Sequence, residues 1–377
     1  MTIADRVNRM LDQAIEQERI TGAVVLVYRD GEPLLRRAAG YADREALRPV
    51  TLDTIFRYAS LTKPVVAVTA LAMIDAGLFG LDVPVVDILP WFRPKTADGR
   101  EAPITIRHLL THTSGLVYDP ALELLSSDRA VTMGLVDTDL DLKSNFERHN
   151  AIPLAFAPGS RWAYSFATDI LGAVIAAVHG DTLEAAVVHH VAGPLGMTDA
   201  RFHVTDKDRL AVAYADGQTR PERMPDPWIA AGEAGWRAAF SPSRIFNPKA
   251  FQSGGAGMAG TADNMLTLLE TVRAGGQPGL KPETAHAAIS NQIGDIDGEP
   301  GMRFGFIGAV IVDPDAAATA LPKGTLQWGG VYGNTWFMDP AERLTVVSLT
   351  NTALEGCMGF YPELLRRAVY GRRQATD

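Results

Sequence analysis

Strand patterns lie at the two ends of this sequence, and helical patterns fill most of the middle. Near the start, apolar runs at residues 23–28 and 34–41 flank Asp30-Gly31, which is a typical hairpin turn. Further strand patterns come near the end, at residues 304–312, 326–338 and 344–350. This order predicts an α+β protein, in which an antiparallel sheet carries helices on its faces and a mainly helical lobe is inserted.

The inserted part is marked by a change of pattern. Helical signals predominate between residues 103 and 195, including a short segment at 122–125. Residues 205–249 lack a clean period, so we expect loops there that cover a cleft. The predicted units are a discontinuous sheet domain at residues 1–85 and 250–377, and a mainly helical insertion at residues 86–249.

The stretch from Phe56 to Pro64 places a serine hydroxyl and a lysine amine three residues apart, where a helix begins. Proline is tolerated in the first turn of a helix, so Pro64 places Ser60 near the N-cap or N1 position. Residues three apart share a helix face, so Lys63 reaches back to Ser60. A lysine desolvated beside apolar side chains can lose its proton near neutral pH and activate a serine. The pattern alone also fits a simpler role, in which Ser60 caps the helix and Lys63 is solvated.

Composition excludes several classes of function. The formal net charge is −9 and no cluster of five or more Lys or Arg occurs, which argues against nucleic acid as a partner. Cys357 is the only cysteine, so no intrachain disulfide can form. Charged residues interrupt the first 18 residues, and the apolar run after Ser60 ends at Asp75, so neither a signal peptide nor a transmembrane span is expected. We expect a soluble, cytoplasmic protein with no membrane partner.

Two other catalytic patterns are weak in this sequence. His108 and His112 have the spacing of a zinc-binding helix, but Leu-Leu-Thr lies between them and no glutamate follows His108. We therefore interpret them as structural histidines and expect no metal. No Gly-x-Ser-x-Gly motif occurs, which argues against an α/β-hydrolase.

Four motifs together resemble the serine β-lactamase and penicillin-binding-protein superfamily, in particular class C β-lactamases and family VIII carboxylesterases. They are Ser60-Leu61-Thr62-Lys63, residues 106–116 (IRHLLTHTSGL), residues 158–165 (PGSRWAYS) and Trp328-Gly329-Gly330-Val331. The resemblance spans most of the chain and implies a β-lactamase/transpeptidase-like fold.

The resemblance also implies roles for individual residues. Ser60 would be the acylated nucleophile, and Lys63 would take or relay its proton. Tyr164 would be the third member, with a neighbouring ammonium favouring its phenolate form. The backbone N–H groups of Ser60 and Val331 would form the oxyanion hole. Either Lys63 or Tyr164 could be the base in acylation.

Two departures from the lactamase pattern concern substrate binding. Phe166 stands where class C enzymes have the asparagine of Tyr-x-Asn, and Trp328 replaces the lysine of Lys-Thr-Gly. Gly329 and Gly330 would let the backbone approach the substrate, while Trp328 and Phe166 would wall the pocket. Because both departures replace a polar anchor with an aromatic ring, we expect a preference for neutral acyl esters over anionic lactams.

The sequence thus predicts a serine hydrolase that cleaves short-chain carboxylic esters through an acyl-enzyme on Ser60, with a small-molecule substrate and no cofactor. An amidase, a D-aminopeptidase or an acyltransferase on the same scaffold is the alternative among enzymes, and weak β-lactam hydrolysis is compatible with each. A non-catalytic binding protein of the penicillin-recognising type is the alternative outside enzymes. The physiological ester and the oligomeric state cannot be read from the sequence.

Overall fold

The computed structural model describes residues 1–118, 131–231 and 237–371 of the chain. Its main feature is an eight-stranded antiparallel sheet built from both ends of the described chain. The strands of this sheet are β1 (Gly22–Arg29), β2 (Glu32–Asp43), β3 (Arg48–Pro49), β10 (Met302–Phe304), β11 (Ala309–Ile311), β12 (Leu326–Gly330), β13 (Asn334–Asp339) and β14 (Leu344–Thr350). Their spatial order is β10-β11-β12-β13-β14-β1-β2-β3. The two ends meet where β1 pairs with β14, with Ala23 opposite Thr350.

The remaining strands are short and form three two-stranded ribbons among the described residues. They are β4 (Phe56–Arg57) with β9 (Ala259–Gly260), β5 (Tyr214–Ala215) with β6 (Glu222–Arg223), and β7 (Trp228–Ala231) with β8 (Arg237–Phe240). The α-helices are α1 (Ile3–Glu16), α2 (Thr62–Asp75), α3 (Val85–Ile88), α4 (Ile106–Leu110), α5 (Leu142–Phe146), α6 (Ala167–His179), α7 (Leu183–Val187), α8 (Ala262–Arg273), α9 (Pro282–Ala288) and α10 (Tyr361–Tyr370).

Strand β1 separates two hydrophobic cores, because successive side chains of a strand point to opposite faces of the sheet. Val24 and Leu26 belong to the larger core, which also contains α2 and α8. Val25 and Val27 belong to the smaller core, which contains the apolar faces of α1 and α10. The sheet is therefore covered by helices on both faces, as the strand patterns predicted.

Helix α2 lies inside the larger core and carries Lys63 into the protein interior. Every residue from Thr62 to Met73 is buried. The sequence of α2 is apolar on all sides, which is typical of a helix surrounded by protein. A 3-10 turn at Ala59–Leu61 precedes α2 and contains Ser60.

Several predicted elements differ from the observed ones. The pattern at residues 304–312 is interrupted by a turn in which the Gly305 N–H donates to the Gly308 carbonyl at 2.9 Å. Phe304 therefore ends β10, residues 305–308 form the turn, and β11 begins at Ala309. The pattern at 326–338 is two strands, β12 and β13, joined by a turn in which Gly333 has φ 110°. The expectation of loops alone at 205–249 was wrong, because β5 to β8 lie there. The helical segment expected at 122–125 lies outside the described residues.

The predicted division into two units stays a prediction. The strands of the large sheet come from residues 22–49 and 302–350, which agrees in position with the proposed discontinuous domain.

Within the described residues, no single helix is long and apolar enough to cross a membrane. Helices α6 and Leu183–Ala192 would do so only as a pair bent by 79°, judged by length and composition.

Candidate active site

The turn that contains Ser60 is anchored by the residues just before it. Strand β4 pairs with β9, and the buried Tyr58 hydroxyl donates to the Thr261 carbonyl at 2.6 Å. A side chain at Gly260 would lie 2.4 Å from that hydroxyl oxygen, so only glycine fits there. Ser60 lies one residue before the predicted position. It is in the 3-10 turn that precedes α2 and is not the N-cap of that helix. The N-cap residue of α2 is Leu61, and no side chain caps this helix end by a hydrogen bond within the described residues. Ser60 therefore does not serve as a helix cap.

Three side chains that are distant in sequence meet at the Ser60 hydroxyl. The Tyr164 hydroxyl donates to Ser60 Oγ at 2.6 Å, and Lys63 Nζ donates to the same atom at 3.3 Å. Lys63 Nζ also lies over the ring of Tyr164, 4.6 Å from its centroid. The structure thus brings together the alcohol, the amine and the phenol that the sequence singled out.

Burial controls the protonation of this group. Lys63 is 5% exposed, and loss of hydration lowers its pKa to about 7, while the Asp169 carboxylate acts in the opposite direction. Burial also raises the pKa of Tyr164, although the hydrogen bond with Ser60 opposes this. The expectation that a neighbouring ammonium favours a Tyr164 phenolate was therefore wrong, because desolvation of the phenol is the larger effect. At neutral pH the arrangement supplies a partly neutral amine and a protonated phenol.

Two further groups bind Lys63 Nζ and were not found from the sequence. The Gly255 carbonyl accepts from it at 2.9 Å, and the Tyr118 hydroxyl lies at 3.2 Å. Tyr118 follows the 106–116 motif by two residues, but a single tyrosine in a loop carries no recognisable signal. A backbone carbonyl such as that of Gly255 has no sequence signature of its own.

His112 is a structural histidine beside this group. Its Nδ1 lies 3.1 Å from Ser165 Oγ, and its ring lies 5.2 Å from that of Tyr164. Burial, reinforced by the nearby Lys63 charge, holds the pKa of His112 well below its usual range. His108 makes a different local contact, because its Nδ1 accepts from the Thr105 N–H at the start of α4 at 3.2 Å.

Aromatic side chains form one side of the site. The half-buried Trp328 packs edge-on against Tyr164 at 5.1 Å and against Phe304 at 5.2 Å between ring centroids. A cavity of about 10 Å³, which is room for roughly one water molecule, is lined by Lys63, His112 and the rings of Trp328 and Phe304. A larger pocket of about 430 Å³ opens beside Arg57, but neither Ser60, Lys63 nor Tyr164 lines it.

The glycines after Trp328 are required by packing against protein. A side chain at Gly330 would lie 2.1 Å from the Tyr58 carbonyl oxygen, and one at Gly329 would lie 2.7 Å from Cys357 Sγ. Close approach at Gly330 therefore serves the contact between β12 and the Ser60 turn, and close approach at Gly329 serves the contact with Cys357, where we had expected substrate at both positions. The contact at Gly330 also places Val331, the next residue, beside the Ser60 turn.

Phe166 was expected to contact substrate, and this prediction was wrong. Its side chain has no exposed surface and stacks on Phe146 with ring centroids 5.3 Å apart. Its ring also lies 4.8 Å from that of His149 and 6.3 Å from that of Tyr118. Phe166 therefore packs in the core beneath the site, because the start of α6 directs its side chain inward.

Comparison with known proteins gives consistent matches over the whole length. The Beta-lactamase family matches residues 7–367. Esterase EstB of Burkholderia gladioli is 50% identical over 380 residues, covering 98% of this chain and 96% of that protein. A solved structure described as EstCE1, a hydrolase with promiscuous acyltransferase activity, has a TM-score of 0.93 at 42% identity and covers 98% of each chain. Simvastatin synthase (LovD) from Aspergillus terreus has a TM-score of 0.75 at 21% identity with full coverage, a likeness of fold alone.

Proposed function

The chain belongs to the Beta-lactamase family, and from this membership and the contacts at Ser60 we propose that it is a serine esterase acting through an acyl-enzyme. The relatives named Esterase EstB and EstCE1 support ester hydrolysis as the reaction. The observation that carries the proposal is the meeting of Lys63 and Tyr164 at the Ser60 hydroxyl. That geometry provides a nucleophile, a base and a proton donor at one oxygen atom.

In acylation, Ser60 Oγ attacks the ester carbonyl while the neutral Lys63 amine accepts its proton. Burial prepares Lys63 for this step, because its pKa of about 7 leaves a large neutral fraction at physiological pH. The Tyr164 phenol then donates a proton to the departing alkoxide and regains one from the Lys63 ammonium. The sequence left the choice of base open, and the opposite effects of burial on the amine and the phenol favour Lys63.

The negative charge on the carbonyl oxygen needs donors during this step. We assign this role to the backbone N–H groups of Ser60 and Val331. The packing of Gly330 against the Tyr58 carbonyl supports the assignment, because it holds the turn of Val331 beside the turn of Ser60. In deacylation a water molecule attacks the carbonyl carbon of the acyl-enzyme and gives its proton to Lys63. The bond between Ser60 Oγ and the acyl group then breaks, the carboxylic acid leaves, and the Lys63 ammonium returns the proton to Ser60 Oγ.

The substrate class proposed is a neutral carboxylic ester with a short acyl group. The half-buried Trp328 presents a ring surface beside Tyr164 and is backed by the buried Phe304, so an uncharged acyl or alcohol group would gain from burial against it. Trp328 carries no charge to pair with the carboxylate of a β-lactam. Transfer of the acyl group to an alcohol in place of water is a second candidate, since the EstCE1 structure is described with promiscuous acyltransferase activity.

Turnover of p-nitrophenyl acetate and butyrate tests the proposal. We expect the wild type to release p-nitrophenol and Ser60→Ala to fall to the uncatalysed rate. Ser144→Ala, at an exposed serine near the start of α5, is the matched control and should match the wild type. An inactive wild type would favour the non-catalytic binding protein.

A chromogenic cephalosporin tests the substrate class with the same protein. We expect lactam turnover far below ester turnover. A preference for the lactam would contradict the argument from the aromatic wall at Trp328.

A further inference from the structure

A glycine-rich loop lies between Lys63 and the start of α6. The loop consists of residues 253–257 (SGGAG), and we call it the 253–257 loop. Its Gly255 carbonyl accepts a buried hydrogen bond from Lys63 Nζ at 2.9 Å. The position of this loop therefore determines where the amine of Lys63 sits relative to Ser60.

The 253–257 loop is held by a carboxylate that the proposed reaction does not use. Asp169, in the first turn of α6, is 1% exposed. One of its oxygens, Oδ1, accepts from Ser253 Oγ at 2.5 Å and from the Gly255 N–H at 3.2 Å. The same peptide segment thus binds Asp169 through its N–H and Lys63 through its carbonyl.

Close packing leaves the 253–257 loop little room to move. A side chain at Gly254 would lie 2.3 Å from the Thr168 carbonyl oxygen, and one at Gly255 would lie 2.5 Å from Asp169 Oδ2. The loop backbone therefore packs directly against the first turn of α6. A shift of Asp169 would be transmitted to the Gly255 carbonyl.

Asp169 also supplies a negative charge near Lys63. Among the described residues, the side chains of Ser60, Tyr118, Tyr164 and His112 also face Lys63, and none of them is a carboxylate. Burial raises the pKa of Asp169, while Ser253, Lys63, Gly255 and Arg244 stabilise the carboxylate. The Arg244 guanidinium is committed to the carbonyls of Val136 and Phe251 at 3.0 and 2.5 Å.

From these contacts we propose that Asp169 is a positioning residue for Lys63. Its carboxylate fixes the 253–257 loop, so that the Gly255 carbonyl meets the amine, and it places a negative charge within the electrostatic range of that amine. This inference rests on the proposed function, in which the neutral Lys63 amine accepts the proton of Ser60. Asp169 itself touches neither Ser60 nor substrate in this scheme.

The substitution Asp169→Asn separates charge from position. Both hydrogen bonds use Oδ1, which an asparagine retains, so the loop keeps its donors while the charge is lost. Without the carboxylate the ammonium form of Lys63 is less favoured. We expect the acid limb of the kcat/KM profile to move to lower pH by about one unit, the lower end of the effect of a nearby opposite charge.

Two companion variants complete the activity experiment. Ser253→Ala keeps the charge but frees one end of the loop, so we expect kcat to fall severalfold with a smaller movement of the acid limb. Asp263→Asn removes a surface carboxylate that pairs with Arg36 and should leave both kcat and the limb at wild-type values. If Asp169→Asn does not fold, an unchanged kcat in Ser253→Ala would still overturn the positioning role.

A titration that does not depend on activity separates this inference from the proposed function. The chain has seven lysines, so ¹³C labelling of the lysine side chains gives few NMR signals, and Lys63→Met identifies that of Lys63. We expect the Lys63 signal to titrate at lower pH in Asp169→Asn than in the wild type. Equal titration in both would overturn the inference, even with full esterase activity. A shifted titration in a protein without esterase activity would support the inference and reject the proposed function.

Discussion

The buried amine of Lys63 should make the protein less stable at neutral and acidic pH than a variant without it. Lys63→Met replaces the amine with an apolar chain of similar length inside α2. Burial lowers the pKa of Lys63 from its ordinary value of 10.5 to about 7. At about 1.4 kcal/mol for each pH unit, keeping the ammonium buried below pH 7 costs about 5 kcal/mol.

Part of the stability gained by removing the buried ammonium is lost again in the Lys63→Met variant. The Gly255 carbonyl loses its donor, which costs about 1–3 kcal/mol for a buried acceptor. We therefore expect Lys63→Met to raise the free energy of unfolding by about 2–4 kcal/mol at pH 6. Between pH 7 and 10.5 the unfolded wild-type chain binds more protons than the folded chain, so the wild type gains stability as the pH rises. The advantage of the variant should shrink across that range and reverse near its upper end.

Urea unfolding of both proteins between pH 6 and pH 10, followed by circular dichroism, measures this difference. Lys323→Met is the matched control, because Lys323 is already exposed and its replacement should show no such pH dependence. A Lys63→Met variant that is less stable than the wild type at pH 6 would refute the reasoning. A difference in stability that is constant with pH would refute it as well.

Three further predictions concern the same site. The kcat/KM of the wild type for p-nitrophenyl butyrate should fall tenfold for each pH unit below about 7, because the Lys63 ammonium cannot accept a proton, and a flat profile from pH 5 to 7 would exclude it as the base. Tyr164→Phe should lower kcat about 10²–10⁴-fold while the melting temperature stays close to the wild-type value; a smaller loss would mean that another group protonates the leaving alcohol. Phe166→Ala should lower the free energy of unfolding by about 3–5 kcal/mol in urea titration, because its ring is fully buried, and a variant as stable as the wild type would contradict that burial.

Much of the sheet was predictable because strand and turn signals are local. The Asp30-Gly31 turn joins β1 and β2 as expected, and both residues adopt positive φ, at 54° and 79°. The run 344–350 corresponds to β14 without change. The short strands between residues 214 and 240 were missed, since two- to four-residue segments carry too few side chains to show a period.

The three residues of the candidate active site could be found from the sequence for a similar reason. Ser60 and Lys63 lie three residues apart, and the motif around Tyr164 carried the third member through family resemblance. Phe166 was misplaced because motif position does not fix the direction of a side chain. Its neighbour Tyr164 points to Ser60, whereas Phe166 turns into the core against Phe146.

By itself, the sequence determined which residues could react and which family of folds could present them, because spacing, turns and apolar runs are properties of short segments. Only the tertiary structure decided the protonation of Lys63 and Tyr164, since burial depends on everything that packs around a group. It also placed Asp169 and the Gly255 carbonyl around the Lys63 amine, although Gly255 lies 192 residues from Lys63 along the chain. Such contacts have no local sequence signature, because they form only when segments distant in sequence pack together in the folded chain.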